Sequence, residues 1–113
     1  MNVIEKISVV MCTYNGEKYI RQQLDSILKQ TYPIYEIIIN DDISTDGTVD
    51  IIKEYMIRYD NIHLFVNSKR LGVHPNFMAA LVKASGDYIA ISDQDDIWEL
   101  TKIEKQMACI KGY

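Results

Sequence analysis

The sequence predicts an α/β fold, a three-layer Rossmann-like and mostly parallel sheet of order 3-2-1-4 flanked by helices. Four short apolar runs carry that expectation: Ile7–Cys12 (ISVVMC), Tyr35–Asn40 (YEIIIN), Ile62–Val66 (IHLFV) and Tyr88–Ser92 (YIAIS). They begin 28, 27 and 26 residues apart, the length of a strand, a crossover helix and two loops. The runs are continuously apolar rather than alternating, as strands are when helices cover both faces of a parallel sheet.

Each intervening segment has helical spacing. The first places Ile20, Leu24, Ile27 and Leu28 on one face and is closed by Thr31, Tyr32 and Pro33. The second carries Ile52, Tyr55, Met56 and Tyr59, with Ser44 or Thr45 as its cap. In the third, Phe77, Leu81 and Ala84 share a face, Pro75 suits the first turn and Gly86 the C′ position. A last helix is expected over 97–111, with Ile103, Met107 and Ile110 on one side. Crossovers in such a sheet are right-handed.

At 113 residues the chain holds one hydrophobic core, read as a single domain over 1–113. Apolar residues at 48% and charged residues at 25% exclude a disordered or low-complexity chain. The net charge is −4 and the 12 basic residues are scattered, which disfavours nucleic acid or anionic lipid as a partner. Glu5 and Lys6 precede an apolar stretch too short for a signal peptide. No run approaches the ~18 apolar residues that span a bilayer. The expected location is the cytoplasm, at the cytoplasmic face of the membrane for a full-length protein. Cys12 and Cys109 read as buried free thiols, and His63 and His74 lack partners at zinc-ligand spacing.

In an open parallel sheet, ligands bind beyond the carboxyl ends of the strands, where strand order reverses. The four carboxyl-end loops are Thr13-Tyr14-Asn15-Gly16, Asp41-Asp42, Asn67-Ser68-Lys69-Arg70 and Asp93-Gln94-Asp95-Asp96. With order 3-2-1-4 the crevice falls between the first and fourth strands, surrounded by Thr13, Tyr14, Asp42 and the 93–96 cluster. Three aspartates within four residues repel one another unless a cation, a helix N-terminus or water compensates. Capping of a helix near Ile97 by Asp95 or Asp96 accounts for one of them and leaves Asp93 unexplained. A divalent cation, Mg²⁺ or Mn²⁺, takes such hard oxygens and completes its shell with water and phosphate.

The segment around Asp41 and Asp42 is also rich in turn and cap residues, so a local role competes with a ligand role there. Tyr14 reads either as a surface aromatic, one of eight tyrosines, or as a ring placed after the first strand to stack on a nucleobase. Lys69 and Arg70 read first as solvated loop charges and second as phosphate ligands. No G-x-G-x-x-G or P-loop pattern follows any strand, so phosphate binding would run through a metal. A nucleoside diphosphate held through a carboxylate-bound cation is the chemically consistent ligand.

These residues resemble a known family. The segment ISVVMCTYNGEKYIRQQLDSILKQTYPIYEIIINDDISTDGT resembles the opening of glycosyltransferase family 2 enzymes of the GT-A fold, and SGDYIAISDQDDIW resembles their D-x-D segment. SDQDDIW and the pair Asn76-Phe77 look most like bacterial rhamnosyltransferase-type members. The resemblance implies that Thr13 and Tyr14 line a base pocket, that Asp42 hydrogen-bonds the base, and that Asp93 contacts ribose or cation. Asp95 would be the principal metal ligand to the diphosphate, with Asp93 beside it. Asn15, Asp41, Arg70 and Gln94 complete the expected nucleotide-binding set. The implied donor is a UDP- or dTDP-sugar and the implied acceptor a glycan or lipid-linked hydroxyl, in polysaccharide or cell-envelope glycan synthesis.

Two residues depart from the family pattern: Asn40 where an apolar residue or serine is usual, and Ile43 in place of the glycine of D-D-G-S. Family members continue beyond the D-x-D helix into the acceptor site, so the acceptor base is expected beyond Tyr113 and the chain is read as a piece of a longer enzyme, inactive alone. That reading predicts an exposed fourth strand and uncovered Trp98, Ile103 and Met107, hence a homodimer through this edge. The competing readings are a non-catalytic nucleotide-binding or protein-interaction module and, more remotely, a phospho-receiver-like domain.

Overall fold

A computed structural model describes residues 4–93 and 96–112. The order of elements is β1 (Ile7–Thr13), α1 (Ile20–Leu28), β2 (Glu36–Asp41), α2 (Thr48–Arg58), β3 (Ile62–Val66), α3 (Val73–Leu81), β4 (Tyr88–Ser92) and α4 (Lys102–Ile110). The strands form one sheet of order β3-β2-β1-β4, every neighbour pair parallel, as the sequence predicts. Val9 lies opposite Ile37 on one side and Ala90 on the other.

Side chains alternate between two unequal faces. Ile7, Val9 and Met11 of β1 join Ile37, Ile39, Leu24, Ile52 and Met107 in the main core, beneath α1, α2 and α4. Val10 and Ile38 face the other way, into a small cluster closed by Ala80 of α3. One helix cannot cover four strands. On that side Phe65 of β3 and Ile89 and Ile91 of β4 stay open, the two isoleucines each 46% exposed. Coverage of both faces is therefore complete only over β1 and β2.

Several expected boundaries move for identifiable reasons. The last helix begins at Lys102, because the backbone before it is committed to the end of α1. Trp98 N–H donates to Ser26 Oγ at 3.0 Å, the Gln30 amide donates to the Glu99 carbonyl at 2.6 Å, and Thr31 N–H donates to the Leu100 carbonyl at 2.9 Å. Gln30 Oε1 then accepts the Ile103 N–H at 3.0 Å, satisfying one of the first-turn donors that a helix leaves unpaired. Asp96 does not cap this helix; its carboxylate accepts the Trp98 indole N–H at 3.1 Å. Trp98, Ile103 and Met107 are buried in the main core, so the uncovered patch expected of them is absent.

Capping of α2 also falls to other residues. Asp46 Oδ1 accepts the Thr48 N–H at 3.0 Å and Glu17 accepts the Gly47 N–H at 2.7 Å. Ser44 and Thr45 bond to Asp41 and Asn15 instead. Helix α3 ends at Leu81, ahead of Gly86. Glycine stands at 86 because a Cβ there would lie 2.6 Å from Ser8 Oγ and 2.7 Å from the Lys6 carbonyl, where the chain presses on the start of β1. Both cysteines are free, but Cys109 is exposed rather than buried and Cys12 is half-buried. Among the described residues, no helix is long and apolar enough to cross a membrane.

Candidate functional site

A cavity of about 420 Å³ opens at the carboxyl ends of β1 and β4, at the reversal of strand order. Its walls come from Cys12, Thr13 and Tyr14 at the end of β1, Asp42 after β2, Ser92 and Asp93 at the end of β4, Arg70 and Gly72 from the β3–α3 connection, and Val73, His74, Asn76 and Phe77 at the start of α3. The structure thus gathers Thr13, Tyr14, Asp42 and Asp93, as expected, and brings Arg70 to the same space. Gln94 and Asp95 lie outside the described residues.

Asn15 and Asp41 do not line this cavity. Asp41 is buried, with Oδ1 accepting from the hydroxyls of Thr13 and Ser44, each at 2.6 Å, and Oδ2 from the Ser44 N–H at 2.8 Å. It holds the turn after β2 against the end of β1. Asn15 Oδ1 accepts the Thr45 N–H at 2.8 Å, joining the first loop to the second. Between them stands Ile43 at φ +60°, the left-handed region in which a β-branched side chain is strained and glycine is not.

Asp42 is 3% exposed and its carboxylate accepts four hydrogen bonds, about as many as its lone pairs allow. Oδ1 receives the Leu71 N–H at 2.8 Å and Asn67 Nδ2 at 3.1 Å. Oδ2 receives the Gly72 N–H at 3.0 Å and Arg70 Nε at 3.2 Å. Burial pushes this acid upward, but the four donors outweigh it and bring its pKa down to about 2, so the group is an anion at neutral pH. Gly72 has φ +84°, a conformation that suits glycine and helps bring its N–H onto Oδ2 alongside the Leu71 N–H on Oδ1.

Arg70 makes a second contact. Its guanidinium lies 3.7 Å from the centroid of the Tyr14 ring, a cation–π pair at the cavity mouth. The same side chain thus occupies both the aromatic face and the carboxylate oxygen that the sequence reading allots to a base. Cys12 lies in the wall; burial first, and then the negative charges of Asp42 and Asp93, push its thiol up to about 11. Asp93 is exposed at the rim. Its backbone carbonyl is tied to α1 through Gln23, whose Nε2 donates to it at 2.6 Å and to Ser92 Oγ at 2.8 Å.

Sequence reasoning assigned no role to Asn67, Asn40 or residues 72–74. Asn67 follows β3 in a loop already read as polar, which was the available signal, but partners 25 and 27 residues away, Asp42 and Asn40, leave no local trace. Asn76 entered only through the resemblance, without a role.

With this geometry in view, residues 8–112 match the family model described as glycosyl transferase family 2. The chain belongs to glycosyl transferase family 2. It is 40% identical to the dTDP-rhamnosyl transferase RfbG of Shigella flexneri over 105 residues, covering 88% of this chain and 36% of that protein. It is 37% identical to the UDP-Glc:alpha-D-GlcNAc-diphosphoundecaprenol beta-1,3-glucosyltransferase WfgD of Escherichia coli, covering 90% and 40%. Among solved structures it superposes on S. aureus TarS in complex with UDP-GlcNAc with a TM-score of 0.87 at 32% identity, covering 95% of this chain and 31% of TarS. The mannosyltransferase PcManGT of Pyrobaculum calidifontis, in complex with GDP-Man and Mn²⁺, matches with a TM-score of 0.77 at 29% identity, covering 85% and 29%. The GT-A fold expectation is thereby met, and the family is one of transferases. The chain spans 30% to 41% of the length of curated relatives such as these.

Proposed function

We propose that this chain is the donor-binding part of a glycosyltransferase that moves a sugar from a UDP- or dTDP-sugar to a hydroxyl of a glycan or lipid-linked acceptor, in polysaccharide or cell-envelope glycan synthesis. The observation that carries the reading is the cavity at the β1/β4 reversal, where an aromatic ring, a buried anion, a guanidinium and a rim carboxylate converge. RfbG, WfgD and TarS, whose names or complexes specify dTDP- and UDP-linked sugars, support the choice of donor.

In this reading the base stacks on Tyr14 and donates to Asp42 Oδ2. Arg70 holds both positions in the structure, through the longest of the four bonds to Asp42 and from a side chain that is 54% exposed. Exchange of Arg70 for a base therefore costs little, since a solvated guanidinium recovers water as it leaves and can turn toward the diphosphate. Thr13, at the end of β1, borders the same space.

Among the described residues no cluster of three metal-donor side chains exists. Asp93 is nevertheless a hard oxygen donor at the rim, the kind that suits Mg²⁺ or Mn²⁺ with phosphate and water completing the shell, and Asp95 is proposed as its partner ligand. Such a cation, when bound, supplies charge neutralisation to the departing diphosphate. The protein's own part is to hold Asp93 in place through Gln23 and β4 and to present the diphosphate away from the Asp42 charge.

Calorimetry with UDP and dTDP, in Mg²⁺ or Mn²⁺ and in EDTA, tests this. Binding is expected only with the cation, because no glycine-rich cradle screens the diphosphate from the aspartates. Equal binding in EDTA would overturn the metal bridge, and no binding under any condition would overturn the donor site. Asp95→Ala should remove the cation dependence while the chain still folds.

A further inference from the structure

Behind Asp42, three asparagine side chains meet where β2, the loop after β3 and the first turn of α3 come together. Asn40 Nδ2 donates to Asn67 Oδ1 at 2.9 Å and to Asn76 Oδ1 at 3.2 Å. Asn67 Nδ2 donates to Asn76 Oδ1 at 2.7 Å and onward to Asp42 Oδ1 at 3.1 Å. Asn76 Nδ2 returns to the backbone carbonyl of Asn40 at 3.1 Å, and Lys83 Nζ donates to Asn40 Oδ1 at 2.8 Å. Every amide oxygen in the ring accepts and every NH₂ donates, so turning over any one amide would set donor against donor. The ring has one arrangement.

Burying amides at the end of a parallel strand costs free energy that apolar packing would not, and the cost is offset only when every group is paired. Asn40 and Asn76 are both buried, and Asn40 takes the place of the apolar residue expected in β2. Asn76 borders the cavity itself, and Asn67 Nδ2 carries the ring to the Asp42 carboxylate. Asp42 in turn gathers the amides of Leu71 and Gly72 and the guanidinium of Arg70.

We propose that Asn40, Asn67 and Asn76 form a positioning network that sets the Asp42 carboxylate, and through it the turn from Arg70 to Gly72, in the geometry that receives a nucleoside diphosphate. The ligand named here rests on the donor-site reading above; the positioning does not. Asn67 is the positioning residue that couples ring to site, acting through Asp42 rather than by touching the ligand.

The test compares Asn67→Ala with Ser8→Ala, which breaks a buried hydrogen bond to Glu36 at the opposite end of the sheet. Two quantities are read in each: amide hydrogen exchange at Leu71 and Gly72, and the Kd for UDP or dTDP in Mg²⁺. Asn67→Ala should speed exchange at both amides and weaken binding, each by about tenfold, the size expected for losing a hydrogen bond to a charged group. Ser8→Ala should lower the unfolding temperature and leave both readouts unchanged. Equal loss of affinity in the two variants would reduce the network to general stability and overturn the proposal. Unchanged exchange at Leu71 and Gly72 in Asn67→Ala would overturn it as well. If the unaltered chain binds no nucleoside diphosphate, the donor-site reading fails, and the exchange data alone still decide whether the network positions the turn. Should Asn67→Ala fail to fold, the milder Asn67→Ser is read in the same assays.

Discussion

Asp42→Asn removes a buried charge at constant shape. The carboxylate accepts four hydrogen bonds, and the amide has one oxygen to offer, so its NH₂ faces either the Leu71 N–H and Asn67 or the Gly72 N–H and Arg70. Two bonds to a charged acceptor are lost. Each is worth roughly 1.5–3 kcal/mol, and the exposure of Arg70 discounts its share, which leaves a cost of about 3 kcal/mol. For a domain of this size that lowers the unfolding temperature by roughly 12 °C. Acid supplies the decisive comparison. The folded carboxyl titrates at about 2, below the ordinary 3.8, so its contribution is complete above 3.8 and is lost as the pH falls toward 2. Urea unfolding of both proteins from pH 7 to pH 2 should therefore show a difference that shrinks in that window by at most about 2 kcal/mol. The other carboxylates are common to both proteins and cancel. A difference of constant size across the range, or none at pH 7, would refute the assignment of the stabilisation to an ionised Asp42.

Other expectations follow from the same packing. Ile43→Gly relieves a left-handed isoleucine worth about 1–2 kcal/mol, so it should stay within about 1 kcal/mol of the parent in urea unfolding; a loss above about 2 kcal/mol would mean that the φ of +60° is not adopted. Gly86→Ala places a Cβ against the Lys6 carbonyl and Ser8 N–H, backbone atoms that cannot step aside, and should cost about 2 kcal/mol or more; an unchanged melting temperature would contradict that contact. Cys12, raised to about 11 by burial and then by Asp42 and Asp93, should resist iodoacetamide at pH 8 while exposed Cys109 reacts, and peptide mapping that finds Cys12 labelled first would overturn the account. Strand β4 is a sheet edge with Ile89 and Ile91 each 46% exposed, so the 113-residue chain should self-associate at high concentration; light scattering from a monodisperse monomer would exclude it.

The four strands, their parallel order and the end of the sheet where the cavity opens were legible in the sequence, because the apolar runs recur one crossover apart, although only β1 and β2 are buried on both faces. The convergence of Thr13, Tyr14, Asp42 and Asp93 followed from their shared place after strand ends. Helix limits were less legible. Residues 98–100 have helical spacing, yet their backbone groups bond to Ser26, Gln30 and Thr31, partners about 70 residues away that no local pattern records. The roles of individual carboxylates were decided by the tertiary structure alone. Asp41 and Asp42 are adjacent and chemically identical in sequence, and strand pleating turns the first onto Thr13 and Ser44 and the second toward the loop at 67–72. Arg70 read as a solvated charge because its partners, Tyr14 and Asp42, come from two other strand ends. Composition and periodicity report which groups leave water; which donor meets which acceptor depends on register and on loops closing across the sheet, and only the assembled chain sets those.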